Sequence, residues 1–354
     1  MLIQAPSSGC IGAPFLDAQF VAQKNNFKLV KAGFQQQETT VQCSMTSQAG
    51  LWGINKAFME LVTKWVNNQD IPAVIGYPDP SIAWHEEIVH YTAPGPLGNV
   101  DLEMTLLFPK VNGPVPVVLY AHGDIEFNAP EIQYKQRYRD MIVALEFLHQ
   151  GIAVAFPSRH GVGLSEGVYK LGYVSDADPA YIPRIHANDM YPALKYLQNR
   201  PEIDPHRVIL VGQSAGGYST MYMASQSPDG VIGAINFSGG RSDSYANESP
   251  HYLNRMLIDS FGELGKTTYI PSLWIYAEND SRFTPTTIQR SYEAFVAAGA
   301  KSRLLLLPPT PGDGHYVYHL PDLWRPALLQ YLQEIGVAKA TASEVAAQGN
   351  APAQ

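Results

Sequence analysis

The sequence predicts an α/β protein: a mostly parallel, twisted sheet with helices on both faces, plus an extension at its amino terminus. Three observations carry that expectation. Short runs such as PVPVVLYAHG (114–123), GIAVAFPS (151–158), RVILVG (207–212) and SRLLLLP (302–308) are apolar at nearly every position, the pattern of strands buried on both faces. Stretches of helical periodicity fill the intervals between them. With 354 residues and 45% hydrophobic content, the chain can bury the large core such a sheet needs.

Taken in order, EEIVHYTA (86–93) and VDLEMTLLF (100–108) read as two strands around the loop PGPLGN (94–99). A buried strand at 114–123 comes next. A helix is expected over roughly 131–149, with Ile132, Met141, Leu145 and Leu148 on one side, followed by the strand in GIAVAFPS. Helix 184–199 precedes RVILVG, and helix 215–226 precedes VIGAINFSGG (231–240). After a polar interval, IPSLWIYAEND (270–280), helix 285–298, SRLLLLP and helix 322–335 complete the alternation.

Two segments depart from that rhythm. Residues 1–80 hold a polar strand candidate, QQQETTVQCSMT (35–46), and an amphipathic helix, LWGINKAFMELVTKWV (51–66). This extension is expected to pack on a catalytic body at 81–336, with 337–354 as a disordered polar tail. The net charge of −8 argues against nucleic acid or an anionic membrane surface, and small-molecule chemistry is the better expectation. No run is long and apolar enough for a transmembrane span, and MLIQAPSSGCIGAPF has neither the basic start nor the apolar core of a signal peptide. A cytoplasmic location is therefore expected, with an exported form carrying a truncated signal as the alternative. Cys10 and Cys43 leave pairing open, and no motif speaks to oligomeric state.

The motif G-x-S-x-G occurs twice, as GLSEG (163–167) and GQSAG (212–216). A nucleophilic serine needs its Oγ thrust out on a tight strand-to-helix turn, where flanking glycines relieve the crowding. GQSAG follows the strand RVILV and opens a helical stretch, so Ser214 is the expected nucleophile. GLSEG is separated from its strand and leads into no helix, so Ser165 is expected to be a loop residue.

Serine needs a histidine to accept its proton and a carboxylate to orient that histidine. Both should lie past the carboxyl ends of later strands. Asp280, just after SLWIYAEN, is the expected carboxylate, with Glu278 and Asp243 as rivals. His315 in PPTPGDGHYVYH (308–319) is the expected base, with His319 a surface or packing histidine. The order Ser, Asp, His is that of an α/β-hydrolase arrangement. A neutral His315 implies activity rising with pH through roughly 6.5 to 7. The oxyanion would be held by the backbone N–H of Ala215 and, after the strand ending in His122 and Gly123, that of Asp124. The Asp124 side chain is expected to turn away or to bind a polar part of the substrate.

The pieces VVLYAHGD, FPSRHGVGLSEG, IDPHRVILVGQSAGGYS, SLWIYAENDSRFTP and GDGHYVY, within residues from about 85 to 335, resemble the α/β-hydrolase superfamily, and within it the dienelactone-hydrolase-like and prolyl-oligopeptidase-like branches. The resemblance implies an α/β-hydrolase fold with Ser214, Asp280 and His315 as the triad and Ala215 and Asp124 as oxyanion donors. It also implies that GLSEG is an architectural turn. Ser214 stands where dienelactone hydrolase itself has a cysteine, and 80 extra residues are too few for the propeller of a prolyl oligopeptidase.

Other motifs carry less. The histidines of HEEIVH (85–90) are five apart, which puts them on different faces, so no metal site is expected. GVGLSEG lacks the glycine spacing and the helix of a dinucleotide site, and no cofactor is expected. The interval 241–268 is a candidate lid, with Arg241, Tyr245, Tyr252 and Met256 as candidate substrate contacts. The expected activity is that of a serine esterase on a small-molecule ester. The alternatives are a small peptidase or acyltransferase with the same triad, or a catalytically dead binding protein.

Overall fold

The computed structural model describes residues 84–95, 98–125, 137–169, 181–241 and 250–337, with backbone only at 181, 182 and 250–254. It also describes the backbone of three short strands, β1 (Leu2–Gln4), β2 (Leu29–Ala32) and β3 (Val74–Ile75), which pair in parallel as a separate small sheet. The strand candidate at 35–46, the helix candidate at 51–66, both cysteines and the tail from 338 onward lie outside the described residues.

The apolar runs become one eight-stranded sheet. Its strands are β4 (Trp84–Gly95), β5 (Gly98–Pro109), β6 (Val115–Ala121), β7 (Ala153–Pro157), β8 (Ile203–Gln213), β9 (Val231–Phe237), β10 (Ser272–Ala277) and β11 (Ser302–Leu307). They lie in the order β4-β5-β7-β6-β8-β9-β10-β11. The β4–β5 and β5–β7 pairs are antiparallel and all the others parallel.

Both faces of the sheet are covered, as strands apolar on every residue require. The alternation is visible in β6, where Val117, Leu119 and Ala121 join one core and Val118 and Tyr120 the other. The first core packs against α2 (Tyr181–Gln198), α3 (Ala215–Ser225), α4 (Pro250–Gly265) and α5 (Pro285–Ala297), and the second against α1 (Met141–Leu148) and α6 (Pro321–Glu334). No helix among the described residues is long and apolar enough to cross a membrane.

After β6 the chain moves outward to β7, then returns to lay β8 on the other side of β6. Such a reversal opens a crevice beyond the carboxyl ends of β6 and β8, where ligands of open α/β sheets bind.

Two expectations need correcting. Of the helix expected over roughly 131–149, residues 131–136, Ile132 among them, lie outside the described residues, and the helix α1 starts at Met141 because Asp140 caps it: its side chain accepts a hydrogen bond from Val143 N at 3.1 Å. Of the loop expected at 94–99, residues 94–95 and 98–99 belong to the strands, since β4 and β5 pair as far as Gly95 and Gly98, while 96–97 lie outside the described residues. Pro94 is tolerated there because β4 is an edge strand. In the interval expected as a lid, 242–249 lie outside the described residues, while α4 buries Leu257, Phe261 and Leu264 in the core. Their i, i+4, i+7 spacing is that of a helix packed on the body.

Candidate active site

Ser214 joins β8 to α3 with φ 54° and ψ −126°, a backbone conformation rare for a residue with a side chain. The hydrogen bond from Ser214 N to Phe237 O (3.0 Å) and that from Tyr218 N to Ser214 O (3.0 Å) hold the turn on both sides. The turn sits where the sheet's crevice opens, with its hydroxyl clear of the helix that follows.

His315 lies in the short 3-10 helix Gly314–His319, after β11. Its Nε2 is 3.0 Å from Ser214 Oγ, and its Nδ1 is 3.0 and 3.1 Å from the two oxygens of Asp280. An ionised carboxylate only accepts, so Nδ1 carries the proton and Nε2 is left to accept from the serine hydroxyl. The Asp280 side chain is fully buried, and its Oδ1 also accepts from Arg282 N (2.8 Å) and Phe283 N (3.2 Å). These bonds satisfy a charge that would otherwise be costly to bury. Asp313 ties the two loops together, accepting from His315 N at 2.9 Å and Ser281 N at 3.0 Å.

Of the rivals for these roles, Glu278 and His319 are placed elsewhere. Glu278 is exposed, and Asp243 lies outside the described residues. His319 Nε2 is 3.0 Å from Asp140 Oδ2, so it braces the cap of α1.

The loop after β6 runs beside the serine. A Cβ at Gly123 would overlap the tip of the Gln213 side chain and lie 3.4 Å from Ser214 Cβ, so a larger residue here would have to displace Gln213. None of the hydrogen bonds of the described residues uses the N–H of Asp124 or of Ala215. The Asp124 carboxylate is drawn into a cluster: Oδ1 accepts from Tyr169 Oη at 2.9 Å and lies 3.5 Å from His186 Nε2 and 3.6 Å from Arg159 Nη2. Burial alone would push its pKa up, but His186, Arg159, Tyr169 and Arg241 together hold it below the ordinary range.

Sequence reasoning missed the rest of this cluster. Arg159, buried just past β7, donates to His186 Nδ1 at 2.6 Å, to His122 Nδ1 at 2.9 Å and to Gly123 O. Burial and the guanidinium push both imidazoles down, His122 well below its ordinary value and His186 to about 4. Both histidines are therefore neutral at pH 7, and His186 accepts from Arg159 through Nδ1. A cavity of about 550 Å³ adjoins the cluster between the β4–β5 hairpin tip, the loop after β7 and α2. Pro94, Val100, Val168 and Ile185 give it apolar walls, with Arg159 and His186 among its polar lining.

Of the candidate substrate contacts, Arg241 follows β9 within electrostatic reach of Asp124, and Met256 is half-buried on α4. The side chains of Tyr245 and Tyr252 lie outside the described residues. In the second G-x-S-x-G motif, Ser165 is buried. Its Oγ accepts from Glu103 N at 3.0 Å and donates to Ser158 O at 2.8 Å. Gly163 (φ 63°) leaves room for the Glu103 carboxylate, which accepts from Leu164 N at 2.7 Å. His85 and His90 are engaged separately, His90 with Asp101 at 2.7 Å and His85 stacked on Phe108.

Residues 99–302 match the family model Esterase, described as "Putative esterase". No curated protein matches the chain. Among solved structures, the chain is similar to the esterase Pf2001 of Pyrococcus furiosus, at 16% identity over 72% of this chain and 94% of that one, with TM-score 0.51. It is also similar to a "putative dipeptidyl aminopeptidase IV" of Bacteroides ovatus, at 16% identity over 73% of this chain and 36% of that one, with TM-score 0.52. A third similar structure is Est1E of Butyrivibrio proteoclasticus, at 14% identity over 70% and 98%, with TM-score 0.49. At such identities the first two speak to the fold alone.

Proposed function

The chain belongs to the Esterase family and is a carboxylic ester hydrolase, and on that premise we propose that it works through a covalent acyl-enzyme on Ser214. Ser214 Oγ attacks the ester carbonyl while His315 Nε2 takes its proton. Asp280 holds His315 in the required tautomer and stabilises the imidazolium that forms. The N–H groups of Ala215 and Asp124 receive the tetrahedral oxyanion. His315 then protonates the departing alkoxide. A water, deprotonated by the same nitrogen, releases the acid and regenerates the serine.

The single observation that carries this reading is the 3.0 Å approach of His315 Nε2 to Ser214 Oγ, made by a serine held at positive φ between a strand and a helix. The cavity lined by Val100, Val168 and Ile185 would take a mainly apolar part of the ester. The test is labelling with a fluorophosphonate probe, followed by a panel of esters graded in acyl and alcohol size beside matched amides. Labelling confined to Ser214, with ester cleavage far above amide cleavage, is the expected result. An unlabelled Ser214 in active protein would remove the reading, and amide cleavage without ester cleavage would turn it toward a peptidase.

A further inference from the structure

We infer that Arg159 is a positioning residue that sets the oxyanion pocket by clamping the far side of the Gly123–Asp124 peptide. The inference rests on the proposed roles of Ser214 and Asp124. Gly123 C=O and Asp124 N–H belong to one planar trans peptide, in which carbonyl and N–H point in opposite directions. Arg159 Nη2 donates to that carbonyl, so fixing Gly123 O on one side aims Asp124 N–H to the other.

Arg159 is the cationic partner of this carbonyl, which a neighbouring imidazole also approaches. His122 Nδ1 lies 2.8 Å from Gly123 O but also 2.9 Å from Arg159 Nη2. A guanidinium only donates, whereas a neutral His122 either donates to the carbonyl or accepts from Arg159 through that one nitrogen, so Arg159 is the partner that holds Gly123 O in both tautomers. The other arm, Nη1, is held by His186 Nδ1 at 2.6 Å, which locks the fork in its plane. A carbonyl bonded to a cation also polarises its amide, making the opposite N–H a stronger donor.

The energetics point the same way. The Arg159 side chain is 4% exposed, and among the described residues its closest approach to a carboxylate is 3.6 Å and its Nε–H has no partner. A buried cation is expensive to desolvate, and for stability alone an apolar residue of similar volume serves as well or better. What an apolar residue cannot do is hold a carbonyl. If the clamp is lost, the peptide is free to rotate, and a rotation that swings the carbonyl oxygen toward the oxyanion replaces a donor with a repelling dipole.

The test compares wild type with Arg159→Lys, which keeps the buried charge without the fork, and with Arg159→Ala assayed with and without added methylguanidinium. Thermal unfolding checks that each variant is folded. For a positioning role, kcat falls on the order of 10- to 100-fold with KM little changed. Affinity for a phosphonate or boronate mimic of the tetrahedral intermediate falls by the same factor, and methylguanidinium restores part of the Arg159→Ala rate. Unchanged kcat in folded Arg159→Lys would overturn the inference. So would a loss confined to KM, or a fall in kcat with the mimic bound as tightly as before. Fluorophosphonate labelling of wild type separates the two layers: without labelling at Ser214 the underlying reading fails, while labelling with intact Arg159 variants fails only the clamp.

Discussion

His315 Nε2 stands 3.0 Å from Ser214 Oγ, although the two residues leave the sheet at the ends of different strands, β11 and β8. Ser214→Ala should therefore abolish ester turnover by at least ~10⁴-fold while leaving the thermal midpoint near that of wild type. Asp280→Asn should cost on the order of 10⁴-fold in kcat by offering His315 the wrong tautomer partner. Steady-state kinetics on a simple ester decide both, and substantial turnover by either variant would break the assignment.

Ser165→Ala should behave in the opposite way. Its buried hydroxyl satisfies Glu103 N–H and Ser158 C=O, and leaving such groups unpaired costs about 1–3 kcal/mol each. The variant should unfold at lower temperature with turnover per folded molecule unchanged. Activity lost as completely as in Ser214→Ala would contradict the placement of GLSEG as a turn.

The Asp124 carboxyl is held below its ordinary range, because His186, Arg159, Tyr169 and Arg241 outweigh the effect of burial. A depressed folded pKa means the ionised carboxylate favours the fold above the unfolded value of ~3.9, and that contribution is lost as pH falls through the folded value. The stability gap between wild type and Asp124→Asn should be constant from neutral pH to about 5 and close below about 4. On simple esters Asp124→Asn should not gain turnover. A sharp gain would show that the charge faces the reacting carbonyl.

His186 acts in the same sense over a higher window. Its folded pKa is lowered to about 4, while an unfolded histidine sits near ~6.5. Between those values the unfolded chain binds the proton and the fold does not, so stability falls as pH drops through that window. Urea unfolding at pH 5 and pH 7 should show a smaller difference for His186→Gln, which keeps an acceptor for Arg159, than for wild type. An equal difference in the two proteins would place the dependence elsewhere.

Much of the fold was legible because burial on both faces writes itself as uninterrupted apolar runs, and β6, β7 and β8 lie where PVPVVLYA, AVAFP and RVILV place them. Ser214 and Asp280 were legible for a local reason, since each follows its strand within a few residues. Element starts were harder: the apolar periodicity around Met141 continues past the Asp140 cap, and Pro94 masks the length of the β4–β5 ladder. The Arg159 cluster left no sequence pattern. Its members come from the loops after β6 and β7 and from α2, and only the sheet's reversal at β6 brings them together.

The β5–β7 ladder has one further consequence. It pairs only Met104 to Leu107 of β5 with Val154 to Pro157 of β7. Toward the tip of the hairpin, the contact is continued by Ser158 N on Glu103 O (2.9 Å), Glu103 N on Ser165 Oγ, and Glu166 N on Asp101 O (2.8 Å). The hairpin and the GLSEG turn thus form one cooperative opening unit. In native-state hydrogen exchange, the amides of Glu103, Ser158 and Glu166 should open together with a common free energy. The motif that lacks a nucleophile's geometry would then act as the latch on the outer edge of the sheet.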